Sequence, residues 1–184
     1  FLRQLLIYDL VDDVIRYQQD VSVGPDWVWS HDGESLYLPN RHNLVHLSIL
    51  PGSEVKPVLE VQAKRISNVC LAISPDSSLL ACGAQEQIDL IDPKTLQPIG
   101  HLTGHATAVQ ELRWSPDGRR LASRDGSGQI LLWDMTSKTL VCPIFLPGGW
   151  EAWAIDWSYD GRYLIAVDSD AGIHFLEGGI YDER

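Results

Sequence analysis

The sequence predicts an all-β chain of repeated four-stranded antiparallel sheets, and three observations predict it. A ten-residue stretch recurs four times, as WSHDGESLYL from Trp29, ISPDSSLLAC from Ile73, WSPDGRRLAS from Trp114 and WSYDGRYLIA from Trp157. Its aspartates, Asp32, Asp76, Asp117 and Asp160, lie 44, 41 and 43 residues apart, a spacing that marks a repeat architecture. Apolar residues alternate before each stretch (Trp27 and Trp29, Leu71 and Ile73, Leu112 and Trp114, Ile155 and Trp157), and a short apolar run follows it. Period two on both sides of a turn means paired strands, and no segment carries a 3.6-residue period.

The turn itself has a physical logic. Ser opens it by bonding local backbone, and Pro116 fixes φ for the second position. Asp tolerates the third, and Gly118 supplies the positive φ that closes it. A type I turn closed by a left-handed glycine is a common hairpin connection. Ser77 stands where the other three repeats have glycine, so this turn is expected to be the loosest.

The third repeat sets the register, with strands expected near 109–114, 120–123, 129–134 and 139–144. The second gives 69–73, 79–83, 87–91 and 97–102, and the first gives 25–29, 35–39, 43–49 and 56–61. The last gives 152–157, 163–167 and 172–176. RQLLIYDL and DVIRYQQDV near the front read as the third and fourth strands of a still earlier repeat. The chain is thus one region, 1–184, with no linker: a partial unit at 1–20, units at about 21–62, 63–103 and 104–146, and an incomplete unit at 147–184.

Gly104-His105, WSPDG, LAS and LLWD follow one another within the third unit, and that order resembles the WD-repeat family of β-propellers. Only this unit carries the full signature; elsewhere the closing Trp-Asp becomes Ile91-Asp92 or Tyr8-Asp9. The resemblance implies propeller blades, and a hydrogen-bonded network joining His105, Ser123 and Trp133. The family's acid before the third strand falls on Ser127, with Asp125 two residues early, which predicts a weakened network. Asp117 of the turn is counted in the same structural network. Buried polar groups need partners, so these residues are scaffold. The TolB-like propellers, found in periplasmic proteins and in front of some serine peptidases, share the WSPDG turn and form the alternative. Seven blades of ~40–45 residues need roughly 300 residues, so the sequence predicts an open set of about four blades from a larger ring. Such an arc is expected to self-associate through its uncovered faces.

Composition narrows the functions. A net charge of −11 argues against a nucleic-acid partner. The charge is uneven: residues 1–60 hold nine acidic and four basic residues and 141–184 hold eight and two, whereas 101–140 hold four and five. The acidic arms would then flank a docking face that tolerates basic groups. No apolar run approaches the ~18 residues of a membrane span. Cys70, Cys82 and Cys142 fit no disulfide framework, which points to free thiols in a reducing, cytoplasmic compartment.

Motifs for chemistry are weak. His42 and His46, like His101 and His105, are four apart, which suits a metal only on a helix face. DSDAG at 168–172 lacks the acidic closure of a calcium loop. There is no G-x-S-x-G elbow, DGSGQI has neither Lys nor a following helix, and Asp12-Asp13 sits at a turn. The expectation is a protein-interaction scaffold with no catalysis, metal or cofactor; a propeller enzyme, or its accessory domain, is the alternative. The resemblance places partner docking on the rim of between-blade loops, where Arg41, Lys64, Arg65, Arg124, Trp150, Glu151 and Asp170 lie. Trp and Arg dominate many interfaces, and Trp150, after two glycines, stands out.

Overall fold

In the computed structural model, residues 3–21, 26–40, 43–50, 55–62, 70–149 and 151–177 are described. Seventeen strands form five antiparallel sheets among them. A two-stranded sheet comes first, β1 (Arg3–Asp9) with β2 (Val14–Val21). Three four-stranded blades follow, each with strands adjacent in chain order. Blade 1 holds β3 (Val28–Trp29), β4 (Ser35–Asn40), β5 (Asn43–Ser48) and β6 (Lys56–Gln62). Blade 2 holds β7 (Cys70–Ile73), β8 (Leu80–Ala84), β9 (Gln87–Ile91) and β10 (Pro98–Thr103). Blade 3 holds β11 (Val109–Trp114), β12 (Arg120–Asp125), β13 (Ile130–Asp134) and β14 (Thr139–Ile144). Blade 4 has three described strands, β15 (Ala152–Trp157), β16 (Tyr163–Asp168) and β17 (Ile173–Glu177). The strands follow the expected ones to within a residue or two, save that β3 begins at Val28 and residues 22–25 lie outside the described set. The single helical element described is a three-residue 3-10 turn, Pro147–Gly149.

The core lies between blades rather than inside any one of them. Leu71, Ile73, Leu80 and Cys82 of blade 2 pack on Tyr37 and Leu44 of blade 1. The alternate residues Cys70, Ala72, Ile88 and Leu90 pack on Val109, Leu112, Leu121 and Trp133 of blade 3. Ala122, Ile130 and Leu132 pack on Ile155, Leu164 and Ala166 of blade 4. Period-two alternation therefore gives each inner blade two apolar faces, one for each neighbour, and β7 and β8 are buried at every residue. The first strands of successive blades, β3, β7, β11 and β15, lie against one another.

Close approach makes one glycine obligatory. A Cβ on Gly83 would sit 2.4 Å from Cys70 Sγ and 2.9 Å from Val109 Cγ1. β8 lacks a side chain here because the next blade's Val109 fills the place.

Candidate functional site

Blade 3 carries the buried polar network. Ser123, on the middle of β12, accepts from Trp133 Nε1 at 2.7 Å and meets His105 Nε2 at 2.7 Å. His105 Nδ1 lies 3.1 Å from Asp125 Oδ2. All four residues are buried. The acid of the network is therefore Asp125, and the expectation that Ser127 takes its place is corrected. Asp125 ends β12, and its other oxygen accepts from Ser127 N (3.0 Å), Ser127 Oγ (2.6 Å) and Gln129 N (3.2 Å). One carboxylate thus closes the turn and holds the histidine. Burial lowers the His105 pKa, although Asp125 opposes the effect. Burial would raise the pKa of Asp125, but the bonds from Ser127 and then His105 outweigh it and hold the carboxyl below its ordinary value. The lowered His105 pKa favours a neutral imidazole beside the Asp125 carboxylate.

Asp117 is also corrected, since it takes no part in this network. It belongs to the rim of recurring turns, where Ser115 Oγ donates to its carboxylate at 2.6 Å and Arg119 N at 3.0 Å. Ser30–Asp32 (2.5 Å), Ser74–Asp76 (2.6 Å) and Ser158–Asp160 (2.7 Å) repeat the bond in the other three blades. Gly33, Gly118 and Gly161 close their turns at φ 75°, 71° and 70°, and Ser77 does so at 57°. That turn is not the loosest by its bonds. Ser78 Oγ donates to Asp76 at 2.8 Å, and Ser77 Oγ accepts from His31 N of blade 1 at 3.0 Å. Those added bonds offset the cost of a left-handed serine.

The loop-rim residues fare unequally. Arg124 is not a free anchor, because its Nε bonds Glu111 Oε2 at 3.1 Å and its Nη1 bonds Gln110 Oε1 at 3.1 Å. Glu111 in turn meets Arg113 Nη2 at 2.9 Å and accepts from Ile155 N of blade 4 at 3.2 Å. This clamp joins the first strands of blades 3 and 4, and the sequence reading missed it. Its signal was the alternation that puts Glu111 and Arg113 on one side of β11. Glu151 and Asp170 are exposed on the rim, and Ser169 N donates to Glu151 O at 3.1 Å. Arg41, Lys64, Arg65 and Trp150 lie outside the described residues, as does His42.

Three features went unnoticed in the sequence. Phe145, 77% exposed, forms part of the wall of a cleft of ≈ 170 Å³ that Ser127, Gln129, Ile144, Leu146 and Glu151 also line. In blade 4, His174 Nε2 lies 2.7 Å from Asp168 Oδ2, while Oδ1 accepts from Asp170 N and Gly172 N. Asp168 follows Asp125 by 43 residues, the same interval that separates Asp117 from Asp160, so the repeat spacing could have found it. A groove of ≈ 740 Å³ also opens along the first strands and the recurring turns, lined by Trp27, Trp29, His31, Pro75, Trp114 and Tyr159. Among the described residues, no three His, Cys, Asp or Glu side chains gather as metal ligands.

Comparison with known proteins agrees with this geometry. A family model described as "WD domain, G-beta repeat" matches residues 96–134. WD repeat-containing protein 1 of Xenopus tropicalis is 30% identical over 112 residues, covering 59% of this chain and 18% of that protein. WD repeat-containing protein SL1-17 of Schistosoma mansoni is 28% identical over 142 residues, 76% of this chain and 46% of that one. A probable cytosolic iron-sulfur protein assembly protein CIAO1 homolog of Chlamydomonas reinhardtii is 46% identical over 43 residues, 23% of this chain and 12% of that protein. The chain thus spans less than half the length of each of these relatives.

Proposed function

Because this chain belongs to the WD-repeat family of β-propeller proteins, we propose that it works as a cytoplasmic protein-interaction scaffold with no chemistry of its own. Its partner docks on the loop rim at blades 3 and 4. One observation carries the reading: the buried polar side chains of blade 3 are engaged in holding its strands and turn, while Phe145 stands exposed on the lip of a preformed cleft. An aromatic anchor next to a pocket is the usual centre of an interface. Glu151 and Asp170 add negative charge there, and with a net charge of −11 they favour a partner with a basic, apolar segment. Three free cysteines, Cys70, Cys82 and Cys142, support a reducing compartment.

The test is capture of binding proteins on the immobilised chain, repeated with Phe145→Ala, Glu151→Ala and Asp170→Ala. These variants should lose the bound protein while keeping the parent's melting temperature, and Tyr159→Ala on the opposite rim should keep both. A footprint that followed Tyr159 would move the docking face to the turn rim. Turnover of a substrate by the purified chain would refute the scaffold reading.

A further inference from the structure

Where blades 3 and 4 meet, the chain fixes a carboxylate in place and gives it nothing to pair with. Ala152 N donates to Gly128 O at 3.2 Å and Ser169 N donates to Glu151 O at 3.1 Å. The backbone at Glu151 is thereby pinned between a turn of blade 3 and a turn of blade 4. The contact is tight, since a Cβ on Gly128, whose φ is 78°, would lie 2.6 Å from Glu151 Cβ. Among the described residues the Glu151 side chain makes no hydrogen bond or ion pair, and neither does that of Asp170, next to Ser169. The arginines of blade 3 are engaged elsewhere: Arg113 and Arg124 with Glu111, Arg119 with Asp117, and Arg120 with Asp134.

Glu151 lines the cleft that Phe145 helps to wall, and the lining is of two kinds. Ile144, Phe145 and Leu146 are apolar. Ser127, Gln129 and Glu151 offer acceptors. Ser127 Oγ donates its proton to Asp125 at 2.6 Å, which leaves it only lone pairs to offer. An ionised Glu151 accepts and cannot donate, and the Gln129 amide can present its oxygen. Among the described residues no Lys, Arg or His lines the cleft. At ≈ 170 Å³ it is smaller than the roughly 300 Å³ at which small-molecule pockets begin. It has room for about five waters of ~30 Å³ each, or for one long side chain.

We propose that this cleft is the seat of a single arginine side chain supplied by the partner polypeptide. The proposal rests on the scaffold reading and deepens it by naming what the loop rim selects. The aliphatic stem of the arginine lies against Ile144, and its guanidinium stacks on Phe145 and donates to the Glu151 carboxylate and Ser127 Oγ. Arginine fits better than lysine. Its planar head stacks on an aromatic ring while its fork of donors meets a carboxylate, whereas an ammonium is a compact, strongly hydrated point charge. A purely apolar side chain would bury the acceptors unpaired, and an acidic one would meet Glu151 and Asp170. The pinned backbone holds Glu151 ready, so little freedom is lost when the arginine enters.

The experiment titrates the isotope-labelled 184-residue chain with N-acetyl-arginine N-methylamide at constant ionic strength and follows the amide resonances of Ser127, Gly128 and Gln129. Saturable shifts are expected there, weaker for the lysine analogue and absent for the citrulline analogue, which keeps the shape and loses the charge. Glu151→Gln should weaken binding about two- to fivefold, the worth of an exposed ion pair. Phe145→Leu should weaken it by about the same factor through loss of the ring face. Asp160→Asn removes a charge on the turn rim and should change nothing. Absence of saturable shifts, lysine or citrulline bound as tightly as arginine, or indifference to Glu151→Gln would overturn the proposal. Protein capture that still needs Phe145 when the arginine shifts are absent would sink this proposal alone. Arginine shifts without any captured protein would uphold the seat and sink the scaffold reading.

Discussion

Blades 2 and 3 have the same strands in the same register, yet they are closed by opposite chemistry. Leu80 faces Ile91 across blade 2, and Leu121 faces Trp133 across blade 3. From that register, Ser123 and Asp125 of blade 3 correspond to Cys82 and Ala84 of blade 2, all of them buried. Blade 3 fills the space between its strands with Trp133, Ser123, His105 and Asp125. Blade 2 fills it with apolar side chains, Leu80, Cys82 and Ile91 among them, that pack against Tyr37 and Leu44. The fold thus needs the volume and the alternation, but not the polar network. What the network adds is dependence, since each member has a buried partner that suffers if it is removed.

The largest break in the comparison is Trp133→Ala. This side chain is 2% exposed, its ring packs on blade 2 and its Nε1 donates to Ser123. The expected loss is about 3–5 kcal/mol, the range for large aromatic truncations in a core. Ile91→Ala at the same place in blade 2 should cost less, roughly 2–3 kcal/mol, because it opens a smaller cavity and strands no polar partner. Urea melts of the two variants check the order. Equal losses would mean that the network contributes nothing beyond volume.

Gly83→Ala tests blade 2 from the other side. Its Cβ would overlap Cys70 Sγ and Val109 Cγ1, so about 1–3 kcal/mol should be lost to overpacking. Cys70→Ala added to it should recover part of the loss in thermal melts. Recovery of nothing would place the strain wholly at Val109, on the blade 3 side of the joint.

Ser123→Ala is next. It leaves His105 Nε2 and Trp133 Nε1 without their shared oxygen, at a cost of about 1–3 kcal/mol. His174→Ala in blade 4 should cost less, roughly 0.5–1.5 kcal/mol, since His174 is half-buried and solvent can replace its bond to Asp168. Equal costs in chemical denaturation would show that burial does not set the value of these bonds.

How much of this was legible follows the range of the interactions. The turns and their strands are local, so WSPDG and the alternation around it revealed them. The His105–Ser123–Trp133 set was reached through family resemblance. Its acid was placed at Ser127, whereas the carboxylate that meets His105 is Asp125, at the end of β12. The blade-to-blade bonds were not legible. Trp114 to Ala72 and Trp157 to Arg113 join residues 42 and 44 apart, and only packing brings them together. Arg124 looked like a binding residue because charge and loop position are visible in a sequence, whereas its capture by Glu111 is not. Phe145 follows an apolar strand and reads as its continuation, and only the chain's exit from β14 exposes it.

The smallest expected effect concerns pH, and it distinguishes the blades most cleanly. Burial holds the His105 pKa below its ordinary value of 6.5, so the folded state resists protonation that the unfolded chain accepts. Its contribution to stability is then fully present above about pH 6.5 and is lost as pH falls toward the folded pKa. Asp125 is lowered too, so its own contribution is present above the ordinary carboxyl range and fails only at more acidic pH. Between these windows Asp125 moderates the loss, because a carboxylate beside the ring makes protonation less costly than burial alone would. Among the described residues blade 2 has no such pair, having Cys82 and Ala84 where blade 3 has Ser123 and Asp125. The melting temperature should therefore fall as pH drops below 6.5, and His105→Gln should flatten that slope while lowering the plateau above it. Local protection measured by amide exchange should follow the same course in β12 and β13 and stay level in β8 and β9. A slope that survives His105→Gln, or that appears equally in blade 2, would assign the acid sensitivity to groups outside the network.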